Sequence, residues 1–267
     1  HGAAGVLLIH STESATYPWT TVRSSWTGEQ VRLERPATSL VAAGWLEHDA
    51  AESLFHSAGA DLPALEQSAV NRDFKAKPLG LELEAQVTSE IRRSETFNVV
   101  GRLPGHGPGA GEAVLIGGHY DHFGVRSPVD GDSIYNGAMD NASGTAAVIA
   151  AADAFVRSGV RPGRSVLFMA FAAEESGLLG SQAYAERPTL PLGNLAAVLN
   201  LDEMNLFGRT RDIAALGLDQ SSFGILFGRA ARAEGLSITI NQDALLKGEF
   251  FRSDHFSFAK AGVPALS

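Results

Sequence analysis

The 267-residue sequence contains no cysteine. Without thiols the chain has no disulfide framework, no thiolate zinc site, no iron–sulfur cluster and no cysteine nucleophile. Any metal that it binds must therefore be held by His, Asp and Glu. The absence leaves the compartment open, because many secreted bacterial-type proteins also lack cysteine.

Long apolar runs are also missing. No stretch reaches the roughly 18 apolar residues that a membrane-spanning helix needs, and no signal peptide is visible. The chain opens with HGAAGVLLIHS, a turn that leads straight into an apolar strand, and it closes with AGVPALS, another strand. Since domains rarely begin and end inside core strands, we expect a fragment, and the missing signal peptide then carries no weight.

Positive charge is scarce: 21 Lys and Arg stand against 30 Asp and Glu, which gives a net charge of −9. Such a chain lacks the basic surface of a nucleic-acid binder. Carboxylates clustered around metal ions would add to this acidity. Hydrophobic residues make up 45% and charged residues 19%, an ordinary globular composition that argues against disorder. At ~150 residues per domain, the length allows one large domain or one domain plus part of another.

The N-terminal part of the chain has a mixed pattern. Residues 1–45 are typical of short strands and loops, with GAAG as a turn before the strand VLLIH. Between positions 44 and 67, apolar residues such as Trp45 and Leu46 recur at helical spacing. Residues 75–102 alternate between apolar and polar side chains, which predicts antiparallel strands with one wet face.

From residue 113 onward, apolar strands alternate with helical segments. The predicted strands are 113–121, 165–175 and 196–205, and the predicted helices are 143–159, 176–187 and 221–235. This alternation predicts an α/β domain with a largely parallel, buried sheet. In such sheets, ligands bind beyond the carboxyl ends of the strands.

Acids and histidines gather at those strand ends and in two loops: His119 and Asp121, Asp140 and Asn141, Glu174 and Glu175, Asp202 and Glu203, and Asp254 and His255. Each pair alone has an ordinary explanation, such as a hydrogen-bonded pair, a helix cap or a complement to a helix dipole. Together they supply two imidazoles and at least three carboxylates. This donor set suits Zn²⁺, or less selectively Mn²⁺ or Co²⁺. It is too large for one tetrahedral zinc and suits two ions that share a carboxylate, ~3.5–4 Å apart.

Five segments in this order resemble the motifs of the co-catalytic dizinc exopeptidases of peptidase clan MH, which include aminopeptidase Y and plasma glutamate carboxypeptidase. The segments are GGHYDHFG, YNGAMDNASGTAA, AFAAEESGLLGS, NLDEMN and RSDHFSFAKAGVPAL. The early segment GAAGVLLIHSTESATYPWTTV resembles the end of a protease-associated (PA) domain.

The resemblance implies a three-layer α/β/α sandwich with a mostly parallel mixed sheet, plus a partial β-rich PA domain. It divides the chain into the C-terminal part of a PA domain (1–45), a linking helical and strand segment (46–94) and a zinc peptidase catalytic domain (95–267). The family continues with helices beyond VPAL, so we expect the catalytic domain to be truncated at its C-terminus.

The resemblance also implies a role for each site residue. His119 and Asp202 would bind one zinc, Glu175 and His255 the other, and Asp140 would bridge the two. Glu174 would be the general base. The supporting residues are Asp121, which would hydrogen-bond His119, together with Asn141 and Asp254.

Two details of the family pattern bear on the geometry. Asp254 stands where some relatives carry an oxyanion-binding Tyr. The peptide bond between Asp140 and Asn141 is expected to be cis, because Asp140 must face two ions while the chain turns directly into a helix.

Four further histidines, His48, His56, His106 and His122, are interpreted as surface or core residues. Phe250 or Phe251 is a candidate for lining a substrate pocket.

The function implied is that of a metallo-aminopeptidase, in which a water activated by two Zn²⁺ ions attacks the N-terminal peptide bond of a peptide or protein. A carboxypeptidase or dipeptidase of the same fold is an alternative, with Arg252 and Arg209 as candidates for gripping a carboxylate. A glutaminyl cyclase-like enzyme with one zinc and a non-catalytic binding protein are others. No nucleic acid or membrane span is expected, the oligomeric state stays open, and PA-bearing relatives suggest an extracellular, periplasmic or cell-envelope location.

Overall fold

The computed structural model describes residues 2–25, 29–34 and 40–267. The chain divides into two compact units, 1–93 and 94–267. Each is described below by itself. No helix in the described ranges has the length and apolarity that crossing a membrane would require.

The first unit is built around a parallel strand pair. Strand β1 (Gly5–His10) lies beside β2 (Ala42–Glu47), in register from Gly5 opposite Ala42 to His10 opposite Glu47. Its helices are α1 (Thr12–Ala15), α2 (Trp19–Ser25), α3 (His48–Ser57) and α4 (Leu62–Ala69). The prediction of a helix from position 44 is wrong for Trp45 and Leu46, which belong to β2, because β1 offers them a hydrogen-bonding partner.

The alternating segment 75–98 does not form the predicted antiparallel strands. It has no regular element, and its apolar side chains Leu81, Leu83, Val87 and Ile91 are exposed. Only the end of the predicted region becomes a strand, β3 (Val99–Leu103), which pairs antiparallel with residues 166–170. Alternation gives a stable strand only when a neighbour takes up its backbone N–H and C=O groups, and no described strand pairs with 75–98.

The second unit contains the sheet that the sequence predicts. Its further strands are β4 (Ala113–His119), β5 (Gly124–Val129), β6 (Asp132–Tyr135), β7 (Ser165–Phe171), β8 (Leu195–Asn200), β9 (Asp212–Ala214), β10 (Ser237–Thr239) and β11 (Ala265–Leu266). The main sheet has the order β11-β8-β4-β7-β3. Its inner pairs are parallel and β3 alone is antiparallel within it, so the prediction of a mostly parallel mixed sheet is confirmed.

The α-helices of this unit are α5 (Gly144–Ser158), α6 (Leu179–Glu186), α7 (Phe223–Ala233), α8 (Gln242–Leu246) and α9 (His255–Lys260). Of these, α5 packs on one face of the main sheet, and α6 and α9 pack on the other. Neighbouring positions of a strand point to opposite faces, and β7 demonstrates this. Phe168 contacts Phe155 of α5, with 5.9 Å between ring centroids, whereas Phe171 contacts Phe258 of α9 at the same separation. The three-layer α/β/α arrangement is therefore confirmed.

The core of the unit lies between the sheet and the α6/α9 side. Leu115, Met169 and Phe171 from the strands pack there with Tyr184 and Phe258 from the helices, and all five are at most 4% exposed. A fully buried strand face of this kind contributes about 25 cal/mol per Å² of apolar surface removed from water. This packing holds the strands in register and so fixes where their carboxyl ends lie.

Candidate metal centre

Three neighbouring strands deliver the predicted site residues to one edge of the sheet. Strand β4 ends at His119, β7 ends at Phe171 shortly before Glu174 and Glu175, and β8 ends at Asn200 shortly before Asp202. These strands are adjacent and parallel, so their carboxyl ends coincide.

A glycine in β4 makes the close approach of the strand ends feasible. A Cβ at Gly118 would lie 2.7 Å from the carbonyl oxygen of Leu201. That distance is shorter than side chains tolerate, so only glycine lets the end of β8 pass this close to β4. The GG of the GGHYD motif therefore has a steric function beside the histidine that follows it.

The first group of donors, here called the His119 cluster, consists of His119, Asp140 and Asp202. His119 Nε2 lies 3.0 Å from Asp140 Oδ1 and 3.3 Å from Asp202 Oδ1. Ser253 Oγ donates a hydrogen bond to Asp202 Oδ2. Burial by itself lowers the pKa of His119, but the carboxylates of Asp202 and Glu174 outweigh it and raise that pKa to about 10.

The second group, here called the His122 cluster, consists of His122, Asp140 and Glu175. His122 Nδ1 lies 2.7 Å from Glu175 Oε1 and 3.9 Å from Asp140 Oδ2. Each cluster offers one donor atom per residue, all within 4.8 Å of one another, as metal ligands require. Burial raises the pKa of Glu175, and so does the charge of Asp140.

His122 is thus a site residue that the sequence interpretation missed. Its sequence context predicts a surface or core residue, yet its ring lies beside two predicted ligands. The signal available was its spacing of three residues from His119, just beyond the end of β4. That spacing predicts nothing reliable in a loop, because the direction of the side chain depends on the turn.

Asp140 connects the two clusters, because Oδ1 faces His119 and Oδ2 faces His122. The peptide bond from Asp140 to Asn141 is cis, which confirms the prediction. The Asn141 amide supports this turn: Nδ2 donates to the carbonyl oxygen of Leu201 at 2.9 Å, and Oδ1 accepts from Gly144 N at 2.9 Å. The predicted supporting role of Asn141 therefore corresponds to a link between the end of β8 and the start of α5.

Asp121 supports the site from two directions. Its main-chain oxygen lies 3.0 Å from His119 Nδ1, which leaves Nε2 facing the carboxylates. Its side chain lies farther from that nitrogen, at 3.8 Å, and accepts hydrogen bonds from the N–H groups of Glu174 and Glu175 at 3.0 and 3.2 Å. The predicted contact with His119 is therefore made by the backbone of Asp121, and its carboxylate instead holds the Glu174–Glu175 pair.

Glu174 lies beside both clusters without belonging to either. Its side chain is 9% exposed, and Oε2 lies 3.9 Å from His119 Nε2. Burial, followed by the charge of Asp254, raises the pKa of Glu174 to about 9. This raised pKa reflects a buried carboxyl group whose charged neighbours are mostly other carboxylates.

His255 and Asp254 lie deeper than the other predicted residues. Both are completely buried, and neither His255 nitrogen nor Asp254 oxygen has a hydrogen-bond partner. Burial lowers the pKa of His255 to about 4 and raises that of Asp254 to about 7. His255 belongs to neither donor cluster; its ring packs against Phe250, with 4.9 Å between centroids.

The chemistry of these residues fits bound cations. Several carboxylates meet within one pocket, and buried charges normally need a counter-charge or a metal. Unpartnered buried atoms such as those of His255 are rare in folded proteins and call for an explanation. Divalent ions held by the two clusters would meet the first requirement, and the mixture of imidazole and carboxylate donors suits zinc.

Phe250 and Phe251 differ in exposure. Phe251 is 60% exposed, whereas Phe250 lies against His255. A cavity of about 330 Å³ is lined by other residues, among them Tyr120, His122, Gly137 and Ile149. Neither phenylalanine lines that cavity, so their role in a substrate pocket stays a prediction.

Residues 98–267 match the model of peptidase family M28. The match covers more than half of the chain, and the chain therefore belongs to peptidase family M28. The resemblance to clan MH that its motifs indicate is confirmed.

Relatives share parts of this region. The chain is 42% identical over 88 residues to a probable zinc metalloprotease of Pyrenophora tritici-repentis, which covers 33% of this chain and 20% of the relative. It is 30% identical over 146 residues to leucine aminopeptidase 1 of Trichophyton rubrum, covering 53% of this chain and 37% of the relative. The chain thus spans well under half the length of these relatives.

Among solved structures, a zinc aminopeptidase from Bacillus subtilis has a TM-score of 0.49 at 28% identity. The alignment covers 63% of this chain and 38% of that chain.

Proposed function

We propose that the protein is a metallo-aminopeptidase that hydrolyses the N-terminal peptide bond of peptides or proteins, with two Zn²⁺ ions in its active site. The observation that carries this proposal is Asp140, whose two oxygens face two separate groups of donors. A carboxylate in that position is suited to bridge a pair of ions. The names of the aminopeptidase and zinc metalloprotease relatives support the same assignment.

The proposed ligands are the five that the motifs imply: His119, Asp140, Glu175, Asp202 and His255. Four of them lie in the two donor clusters, and His255 is included on the motif alone. When bound, zinc would polarise the scissile carbonyl and lower the pKa of water. The chain's own residues would orient the metal ligands and move the proton that hydrolysis requires. Asp121 fixes the Nδ1 side of His119, so that Nε2 is left for the ion. Ser253 does the equivalent for Asp202 by occupying one of its oxygens.

Glu174 is proposed as the general base. Its carboxylate takes a proton from the attacking water as the new C–O bond forms. It returns that proton to the leaving amine as the C–N bond breaks, so the acid and base steps balance. Its position supports this role, because it is held through its own N–H by Asp121 and lies next to the donors without being one of them.

Glu174→Gln tests the proposal. Gln keeps the size of the side chain but cannot take up a proton, so turnover of aminoacyl chromogenic amides should fall by at least about 100-fold. Zinc content measured by mass spectrometry should stay the same. Glu234→Gln, at an exposed glutamate just after α7, is the matched control and should leave both values unchanged. Loss of zinc with retained turnover would exchange the roles of Glu174 and Glu175.

The end of the substrate that is recognised can be tested with the same assay. An aminopeptidase should cleave amides with a free amino group and reject their N-acetylated counterparts. Preferential cleavage of N-blocked peptides at their carboxyl end would instead favour the carboxypeptidase alternative. That alternative needs a cation for the carboxylate, and its two candidates, Arg209 and Arg252, are both exposed.

We also propose the domain assignment that the motifs imply. Residues 95–267 would be the catalytic domain, 46–94 the connection to it and 1–45 the last part of a PA domain. An extracellular, periplasmic or cell-envelope location would follow from the PA domain. Support for these assignments comes from the sequence motifs alone.

A further inference from the structure

His122 differs from the other histidines that were interpreted as surface or core residues. It lies in the loop after β4, three positions beyond His119, and its side chain is only 19% exposed. Its Nδ1 atom is directed toward Glu175 and Asp140, both of which are proposed ligands. Its neighbours are therefore those of a ligand.

The contact between His122 and Glu175 is close but is not an aligned hydrogen bond. The two atoms are 2.7 Å apart, yet His122 Nδ1 and Glu175 Oε1 both remain without a hydrogen-bond partner despite being buried. Buried polar atoms left without a hydrogen-bond partner call for an explanation, and a shared cation would provide one for both atoms. Asp140 Oδ2 completes a group of three donors around that point.

The position of the His122 ring is fixed by its surroundings. A Cβ at Gly137 would lie 2.8 Å from the Cβ of His122, and Gly137 has a φ of +65°. The position therefore favours glycine both because a side chain would clash and because the backbone is left-handed. The ring also stacks at a tilt on Phe123, with 4.7 Å between centroids. These contacts limit the movement of the imidazole and keep it near Asp140 and Glu175.

We propose that His122, through Nδ1, is a ligand of the cation held by Asp140 and Glu175, in addition to the five residues implied by the motifs. This inference rests on the proposed function, since it assumes that the site holds two ions. The HYDH segment would then supply two ligands, His119 for one cluster and His122 for the other, with Asp140 shared between the clusters. The site would then contain three imidazoles: His119, His122 and His255.

The experiment compares the wild-type chain with His122→Phe and His106→Ala. Phenylalanine keeps an aromatic ring against Phe123 but removes the nitrogen. His106 is the matched control, because it is exposed and bonded to Pro162 at the opposite edge of the sheet. Metal-free protein is titrated with Zn²⁺ against a competing chelator, and bound zinc is counted by mass spectrometry. Circular dichroism of each metal-free variant confirms that it is folded.

The wild type and His106→Ala should bind two ions with equal affinity. His122→Phe should retain one tightly bound ion and bind the other at least 100-fold more weakly, which is about the upper end of what the loss of a supporting partner costs. Equal zinc affinities in all three proteins would overturn the inference and leave the proposed function intact. A wild type that binds fewer than two ions would overturn both this inference and the two-ion site, while the Glu174→Gln assay judges hydrolysis separately.

A second measurement separates a ligand from a residue that merely positions Glu175. Protein with isotope-labelled histidine is loaded with NMR-active cadmium, and scalar couplings between cadmium and imidazole nitrogens are counted. One coupled imidazole fewer in His122→Phe than in the wild type supports the inference. Equal numbers in both proteins would overturn it, even if the substitution weakened metal binding.

Discussion

The His119 cluster and the His122 cluster share Asp140 but are built from different kinds of structure. His119 is the last residue of a central strand, is 1% exposed and is tied to the backbone of Asp121 through Nδ1. His122 and Glu175 lie in loops, and their side chains are 19% and 13% exposed. The loop of His122 continues into the β5–β6 hairpin, whose β5 strand is exposed throughout. A donor fixed by a strand loses less conformational freedom on binding than one held by a loop, so the two proposed ions should be held unequally.

The largest expected effect comes from the residue that the clusters have in common. Asp140→Asn removes the charge and leaves one oxygen where two are needed, so the affinity of both ions should fall by more than about 100-fold. Zinc titration against a chelator measures this loss. Asp153→Asn, on the exposed face of α5, is the control. Loss of only one ion would mean that Asp140 serves a single cluster and that the comparison between two halves is wrong.

A substitution on one side should separate the clusters. Ser253 donates to Asp202 and accepts from Asn200 Nδ2 at 2.7 Å, so Ser253→Ala leaves both without that partner. The ion of the His119 cluster should bind about 10- to 100-fold more weakly, as is usual when a ligand loses its supporting hydrogen bond. The other ion should be unaffected, as judged by two-step zinc titration.

Ser257→Ala provides the control for that experiment, because Ser257 is also buried and bonded but contacts Ser181 rather than a proposed ligand. An equal weakening of both ions by Ser253→Ala would show that the clusters are not independent.

The smallest expected effect concerns the support that Asp121 gives to the Glu174–Glu175 pair. The two oxygens of Asp121 accept from the N–H groups of Glu174 and Glu175. Asp121→Asn keeps one of these oxygens and replaces the other with an NH₂ group, so one of the two hydrogen bonds is lost. The free energy of unfolding of the metal-free chain should fall by about 1–3 kcal/mol, measured by urea denaturation.

Asp132→Asn makes the same change at an exposed turn residue of β6 that accepts from Ile134 N, and should shift the stability by less than about 0.5 kcal/mol. Equal values for the two variants would mean that the Asp121 carboxylate does not support the loop of the His122 cluster.

The strand ends and the His119 cluster could be predicted from the sequence because each has a local signature. Apolar runs that end in acids mark β4, β7 and β8, and buried parallel strands must align their carboxyl ends. His119, Glu174, Glu175 and Asp202 therefore reach one edge of the sheet wherever the loops go. The order of the motifs along the chain indicated the family and, through it, the role of each residue.

Features that depend on a partner or on a turn could not be predicted. Segment 75–98 alternates as a strand should, but pairing depends on a neighbour, which the segment itself does not encode. Trp45 has helical spacing and is nevertheless in β2, because β1 pairs with it. His122 lies beyond the end of a strand, and its direction is set by contacts with Gly137 and Phe123, which follow from the three-dimensional turn.

The hydrogen bond from Asn141 to Leu201 joins residues 60 positions apart in the chain. It can form only after β8 has docked beside β4, across a long stretch of intervening chain. Contacts of such long range are made late in folding, because closing a long loop costs entropy before it brings any stabilisation. Capture of two ions would consequently be an event of the finished fold, and metal uptake during refolding would report the moment at which the central sheet is complete.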